Sequence, residues 1–187
     1  MRRILLCLSL LLAVAAQSSC ASPPRRDTAG DLDSLFARLR ATDSDSEAKT
    51  IEVAIRHVWA HSAVPDADAL MIQAIQAMRG GDYDTALDFA DKVVELDPTF
   101  AEGWNLRATV HYMRDDYGPA VSDIGHVLSI EPRHYAALAG LGKIMLELDD
   151  KKAALWAFER ALSINPHLDS VREEIDDLRE ELAGLPV

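Results

Sequence analysis

Apolar residues recur at helical spacing through most of the chain, in segments of about a dozen residues separated by short polar stretches. One such segment places Leu138, Leu141 and Met145 on one face, and the segment that follows places Ala154 and Phe158 on another. Two helices joined by a short turn run antiparallel. The pattern therefore predicts an all-α chain built from helical hairpins.

The helical pattern repeats at a constant period, in copies at 67–100, 101–134 and 135–168. Three kinds of residue return at the same place in every copy, namely a proline (Pro98, Pro132, Pro166), an alanine (Ala86, Ala120, Ala154) and a small residue (Ala74, Ala108, Gly142). A period of 34 indicates an array of helix-turn-helix repeats.

Each recurrent feature of the repeat has a physical reason. Small residues in the middle of both helices let the helix axes approach closely. The proline ends the second helix because it lacks an amide hydrogen and restricts the residue before it. Since one pair of helices cannot bury its own apolar face, neighbouring pairs must stack into a solenoid.

These motifs resemble the tetratricopeptide repeat (TPR), whose pattern is W-x2-L-G-x2-Y, then A-x3-F, then P. The matching residues of the central copy are Trp104, Ala108, His111, Ala120, Ile124 and Pro132, and those of the third are Leu138, Leu141, Gly142, Met145, Ala154, Phe158 and Pro166. The first copy departs from the pattern at Gln73 and Ala90. The resemblance implies a right-handed α-solenoid with TPR units at 66–100, 101–134 and 135–168.

Additional helices are predicted at both ends of the array. Residues 31–65 contain two apolar helical faces, one with Leu32, Leu35, Phe36 and Leu39 and the other with Ile51, Ile55, Val58 and Trp59. Because Glu52 and Arg56 fall near positions where the repeat has small or aromatic residues, we interpret 31–65 as a degenerate N-terminal unit of the solenoid.

Residues 169–187 are predicted to form a C-terminal capping helix. Val171, Ile175, Leu178 and Leu182 make one apolar stripe, and acidic residues cover the remaining surface. A coiled-coil dimer seam is the alternative interpretation, although the stripe is short for a coiled coil.

Residues 1–21 have the features of a secretory signal peptide, with two arginines followed by an apolar run from Ile4 to Ala16. An uncleaved anchor is the alternative. Small residues before Cys20 also suggest lipidation of this cysteine, while ordinary cleavage after Ala15 or Ala21 fits equally well. Residues 22–30 are expected to form a Pro/Arg linker. The expected location is the periplasm of a Gram-negative bacterium, or its outer membrane through a lipid on Cys20.

Charge and cysteine content exclude several classes of function. The chain has 31 acidic and 19 basic residues and a formal net charge of −12, and we find no basic stripe of the kind that binds nucleic acid. Direct adsorption to anionic lipid is disfavoured for the same reason. Since Cys7 lies in the predicted leader, neither an internal disulfide nor a cysteine-ligated metal site is expected in the mature chain.

The sequence offers little support for catalysis or for a cofactor. His57 and His61 are spaced to face one side of a helix, but no third metal ligand is evident. His111 and His126 occupy packing positions of the repeat, and Asp97 and Glu131 precede repeat prolines, where acids have a structural role in the family. No phosphate-binding loop or nucleophile motif occurs. We therefore expect a chain that is not an enzyme.

The first helix of each repeat carries a second apolar face that packing within the repeat does not require. In the TPR family the corresponding positions line the concave surface, which binds peptides or helices of partner proteins. Carried over by position, the partner-binding groove consists of Met71, Ile75, Met78, Asn105, Thr109, Tyr112, Met113, Ala139, Lys143, Leu146 and Glu147. Methionine-rich apolar surfaces adapt to helical ligands. The alternative is that the N-terminal hairpin or the C-terminal capping helix folds over this face and fills it.

The predicted function is that of an interaction scaffold or adaptor of the cell envelope that binds a peptide or helix of another protein. Chaperone-binding TPR domains hold a C-terminal carboxylate with a set of lysine, asparagine and arginine side chains, but the equivalent positions here are Met71, Ile75, Leu106, Ala136 and Gly140. This partner class is therefore not expected. The alternatives are a homo-oligomeric structural protein and a metal-dependent hydrolase using His57 and His61.

Overall fold

The computed structural model of the protein describes residues 28–184, so the predicted leader, Cys20 and most of the predicted linker lie outside the described residues. Within this range the regular structure consists of nine α-helices: α1 (Thr28–Ala41), α2 (Asp45–Trp59), α3 (Pro65–Arg79), α4 (Tyr83–Leu96), α5 (Ala101–Met113), α6 (Tyr117–Ile130), α7 (Tyr135–Glu147), α8 (Lys151–Ile164) and α9 (Asp169–Ala183). Helix α1 starts inside the segment that we predicted to be linker. No helix of the described range is both long enough and apolar enough to span a membrane.

Helices α3 to α8 form three antiparallel pairs in the predicted register. The turn inside each pair contains one residue with positive φ, at Gly81, Asp115 and Asp149, and these positions recur at the same period as the prolines. An aspartate precedes the second helix of each pair, and the carboxylates of Asp82 and Asp150 accept hydrogen bonds from the first turn of that helix. The repeat period is therefore set by local turn chemistry as well as by packing.

The small residues of the repeat lie where the paired helices meet, as predicted. Ala86, Ala120 and Ala154 are fully buried. In the third pair Gly142 faces the buried ring of Phe158, and a Cβ atom added to Gly142 would lie 2.4 Å from Phe158 Cε1. The ring occupies the space that any other residue at 142 would need.

A matched pair of glycine substitutions on α7 tests this packing. Gly142→Ala is expected to lower the free energy of unfolding by about 1–3 kcal/mol, because the new methyl group overlaps the fully buried ring of Phe158. Gly140→Ala, two residues away, places its Cβ in open space and should raise stability by up to about 1 kcal/mol through helix propensity. Denaturant unfolding of both variants measures the difference, and a shift in the same direction for both would contradict the packing.

The N-terminal hairpin, formed by α1 and α2, does not stack on the first repeat as a further unit of the solenoid. Its buried face instead packs against the third repeat, in a cluster that includes Trp59, Tyr135, Leu138, Ala161 and Ile164. The helical hairpin predicted at 31–65 is therefore present, and its contact with the third repeat is a feature that the repeat pattern did not predict. The apolar residues of the hairpin are buried there against the start of α7 and the end of α8.

Contacts of the hairpin, and of the connection between α2 and α3, lie at the loop that follows each repeat. Ser62 Oγ donates a hydrogen bond to Asp97 Oδ2 at 2.6 Å, beside the first of these loops. At the second loop the Trp59 ring stacks on the His134 imidazole, with ring centroids 4.4 Å apart. At the third, Asn165 Nδ2 donates to Glu52 Oε1 at 2.7 Å. The N-terminal hairpin and the connection that follows it therefore contact the loop after each of the three repeats.

Helix α9 covers the end of the third repeat. Val171, Ile175 and Leu178 are buried against a cluster that contains Ala154 and Phe158. This arrangement is the one expected of a capping helix. The apolar stripe that could have served a coiled-coil dimer is occupied by contacts within the chain.

A charged contact lies inside the middle of the array, where the TPR pattern has a leucine. The Arg107 guanidinium donates two hydrogen bonds to the buried carboxylate of Asp123, at 2.8 and 2.7 Å, and a third to Asp91 at 2.9 Å. These hydrogen bonds raise the pKa of Arg107, although burial acts in the opposite direction. The network joins α4, α5 and α6 and so links the first repeat to the second.

Candidate protein-binding groove

A cavity of about 300 Å³ opens between the first helices of the second and third repeats, α5 and α7. Its inner lining consists of the buried apolar residues Ala108, Ile124, Ala137 and Ile144. Its more accessible lining consists of Asn105, Thr109, Tyr112, Met113, Ala136, Gly140 and Lys143. We refer to these eleven residues together as the groove.

The groove exists because α7 carries small residues where it faces α5. Ala136 and Gly140 both line the cavity, and a Cβ atom added to Gly140 would have no atom within 4 Å. The space at Gly140 contrasts with the tight contact at Gly142 on the same helix. Small residues therefore serve two purposes on α7, close packing at one position and an open surface at the other.

Five of the eleven residues predicted from the sequence to bind a partner are brought together in the groove, namely Asn105, Thr109, Tyr112, Met113 and Lys143. The other six lie elsewhere. On α3, Met71 packs against the core cluster of Ala67, Val93 and Phe100, and Ile75 and Met78 are half-buried. On α7, Ala139 and Leu146 pack against the cluster that includes residues of α9, and Glu147 is exposed. Their role in binding stays a prediction. Helix α9 covers part of the predicted surface, whereas the cavity between α5 and α7 is open.

The polar side of the groove is connected to the N-terminal hairpin. Asn105 Nδ2 donates a hydrogen bond to Glu102 Oε2 at 2.9 Å, and Glu102 Oε1 lies 3.3 Å from Nε2 of the buried His134. Burial alone would raise the pKa of Glu102, but His134, Asn105 and the positive charge of Arg56 lower it. Glu102 is therefore held as a carboxylate beside the groove.

The groove also contains two hydroxyl groups, those of Thr109 and Tyr112. Thr109 Oγ1 donates to the Asn105 carbonyl at 2.8 Å. Burial raises the pKa of Tyr112, and the nearby charge and hydrogen bonding of Glu147 raise it further. Tyr112 is therefore a neutral hydroxyl at physiological pH, and it contributes shape and polarity but no charge.

Sequence reasoning missed Glu102, His134 and the inner apolar lining as parts of this site. Ala136 and Gly140 stand at partner-contacting positions of the TPR pattern, where other TPR domains have carboxylate-binding residues. The small side chains at positions 136 and 140 were the one feature of the sequence that indicated an open cavity. The N-terminal hairpin brings Arg56 near Glu102, and the repeat pattern could not predict the position of this hairpin.

The histidines predicted as weak metal candidates do not form a ligand cluster. The rings of His57 and His61 lie 5.1 Å apart, and His61 Nδ1 is 3.6 Å from Asp68 Oδ2. Among the residues that the structure describes, no group of three or more histidine, cysteine, aspartate or glutamate side chains could hold a metal ion. His111 is half-buried, as expected for a packing residue. His126 was expected to be buried or half-buried but is exposed, and its ring stacks on Trp104 with ring centroids 4.1 Å apart.

Stacked helical hairpins with a regular turn and an open cavity between their first helices define a solenoid repeat protein. No protein-family model matches the chain. A TPR repeat-containing protein of Rhizobium etli is 36% identical over 171 residues, which cover 91% of this chain and 81% of that relative. The chain therefore belongs to the family of TPR repeat proteins.

More distant similarities support the same fold. Anaphase-promoting complex subunit 3 of Schizosaccharomyces pombe is 25% identical over 71% of this chain, which spans only 22% of that protein. The first TPR domain of Spaghetti (RPAP3), solved with an HSP90 peptide, has a TM-score of 0.61 and 22% identity over 63% of this chain and 94% of that chain. The Sgt2 TPR domain of Aspergillus fumigatus has a TM-score of 0.60 and 19% identity over 66% of this chain and 87% of that chain.

Proposed function

We propose that this protein is a non-catalytic adaptor of the bacterial cell envelope that binds a peptide or helical segment of another protein in the groove between α5 and α7. The open cavity is the observation that carries the proposal, because apolar space between two rigid helices gives a partner side chain somewhere to be buried. A TPR domain of the same fold holds an HSP90 peptide, which supports a protein partner for this chain.

The partner is not of the type held by a carboxylate clamp. The clamp positions contain Met71, Ile75, Leu106, Ala136 and Gly140, and none of these side chains can hold a carboxylate. Leu106 is also buried. Binding through the groove therefore depends on shape and apolar contact more than on a charged clamp.

A pair of glycine substitutions tests the groove without disturbing the fold. Gly140→Met fills the cavity, while Gly125→Met places the same side chain on α6 outside the groove, and the added Cβ meets no atom within 4 Å at either position. We expect a partner that is crosslinked to the wild-type protein by formaldehyde in intact cells to be recovered with Gly125→Met and lost with Gly140→Met. Equal recovery with both variants would contradict binding in the groove.

The envelope location is a separate part of the proposal and rests on the sequence of residues 1–21. The apolar run from Ile4 to Ala16 and the small residues before Cys20 support export and, if Cys20 is kept, attachment to a membrane by a lipid. Cell fractionation with mass spectrometry of the mature N-terminus is the test. We expect the protein in the periplasmic or outer-membrane fraction, and a full-length cytoplasmic chain would contradict this location.

A further inference from the structure

The charges around the groove differ from those of the chain as a whole. The first helices of the three repeats, α3, α5 and α7, carry nearly equal numbers of acidic and basic residues, although the chain has a net charge of −12. Helix α9, by contrast, has acidic residues over most of its solvent-facing surface. The electrostatic potential in the groove is therefore determined mainly by the few charged side chains beside it.

Lys143 is the only residue of the groove that carries a formal charge at neutral pH. It is exposed, and none of the ion pairs found among residues 31–184 includes it. The neighbouring Glu102 is near Asn105, His134 and Arg56, and Glu147 is near the Tyr112 hydroxyl. Glu102 has partners within the chain, and Glu147, one turn further along α7, is exposed and forms no ion pair with Lys143 among the described residues. The ammonium group is therefore available to a ligand.

The cavity next to Lys143 suits an apolar side chain. Its volume of about 300 Å³ is at the lower end of the range for ligand pockets, so it accommodates one or two large side chains and no extended cofactor. Ile124 and Ile144 at its base are buried and apolar, and they offer no hydrogen-bonding side chain. A partner side chain that enters this space must itself be apolar.

From this juxtaposition we propose that the groove selects a protein segment in which a large apolar side chain is accompanied by a carboxylate on the same face. The apolar side chain enters the cavity beside Gly140, and the carboxylate pairs with the Lys143 ammonium group. This inference rests on the proposed function and specifies the chemistry of its partner. Lys143 does not occupy a position of the carboxylate clamp discussed above, so the mode of recognition is distinct.

The test is an array of immobilised synthetic peptides that combine one leucine, isoleucine, methionine or phenylalanine with neighbouring acidic, basic or amide residues. We expect the purified wild-type protein to bind the acidic set about two- to fivefold more tightly than the amide set, as for an accessible ion pair. Lys143→Glu should reverse the preference toward basic peptides. Lys143→Met should abolish the charge preference while keeping apolar binding.

The outcomes separate this inference from the proposed function. An unchanged charge preference in Lys143→Glu, together with loss of all binding in Gly140→Met, would overturn the role of Lys143 and leave the groove as the binding surface. Binding that is unaffected by Gly140→Met, or absent for every peptide class, would overturn both. Thermal melting of each variant serves as the folding control, since residue 143 is exposed and Gly140 has space around it.

Discussion

Arg107→Leu is expected to lower the free energy of unfolding by about 3–5 kcal/mol, one of the two largest losses expected from a single substitution in this chain. The substitution leaves the carboxylate of Asp123 without its two guanidinium hydrogen bonds, and Asp123 is only 3% exposed. A buried charge that loses its partner keeps the full cost of desolvation. Urea unfolding monitored by circular dichroism measures the change.

Two control variants separate the charge effect from the loss of packing. Arg107→Leu combined with Asp123→Ala should recover most of the lost stability, because a buried ion pair replaced by apolar side chains is often neutral or stabilising. Asp91→Asn should have only a small effect, since the side chain of Asp91 is 48% exposed. If the double variant were less stable than Arg107→Leu alone, the unpaired-charge explanation would be wrong.

Trp59→Ala is expected to lower the free energy of unfolding by up to about 3–5 kcal/mol and to release the N-terminal hairpin from the solenoid. The Trp59 ring is 7% exposed and contacts Phe36, His134 and Tyr135, so its removal leaves a cavity at the centre of the interface. Hydrogen exchange should show lost protection in α1 and α2, with protection in α3 to α6 retained.

The control for this prediction lies on the same helix. Val53 is 58% exposed on α2, and Val53→Ala should leave both stability and exchange nearly unchanged. Uniform loss of protection across all helices in Trp59→Ala would mean that the N-terminal hairpin and the repeats unfold as one unit. Unchanged protection in α1 and α2 would contradict the described contact with the third repeat.

The repeats could be predicted from the sequence because their signal is local and occurs three times. Proline, alanine and small residues at a period of 34 define the helix pairs, and the close contact of Gly142 with Phe158 is the physical cause of one of these signals. Asp115 and Asp149 at positive φ show the same period, although their conformation could not be inferred from residue type alone.

The position of the N-terminal hairpin could not be predicted, because it depends on contacts between residues far apart in the sequence. Nothing in the pattern of α1 and α2 distinguishes an apolar face that packs on the first repeat from one that packs on the third. The contacts of Trp59 with His134 and of Glu52 with Asn165 join α2 to loop residues that the repeat pattern identifies only as helix ends.

The candidate site was predicted in part. Positions taken from the family identified Asn105, Thr109 and Lys143, which do line the cavity. They also included Ala139 and Leu146, which pack against the cluster of α9. The family positions specify a face of the first helix, whereas the open part of that face depends on which neighbouring helices cover it.

The most direct measurement of the groove as the working surface is site-specific photo-crosslinking in intact cells. A photoreactive amino acid at position 113, which is exposed and lines the cavity, is compared with the same amino acid at the exposed position 122 on α6. We expect a discrete crosslinked protein from position 113 that disappears when Gly140→Met is added, and none from position 122. Crosslinks from 122 alone, or crosslinks from 113 that persist with Gly140→Met, would contradict partner binding between α5 and α7.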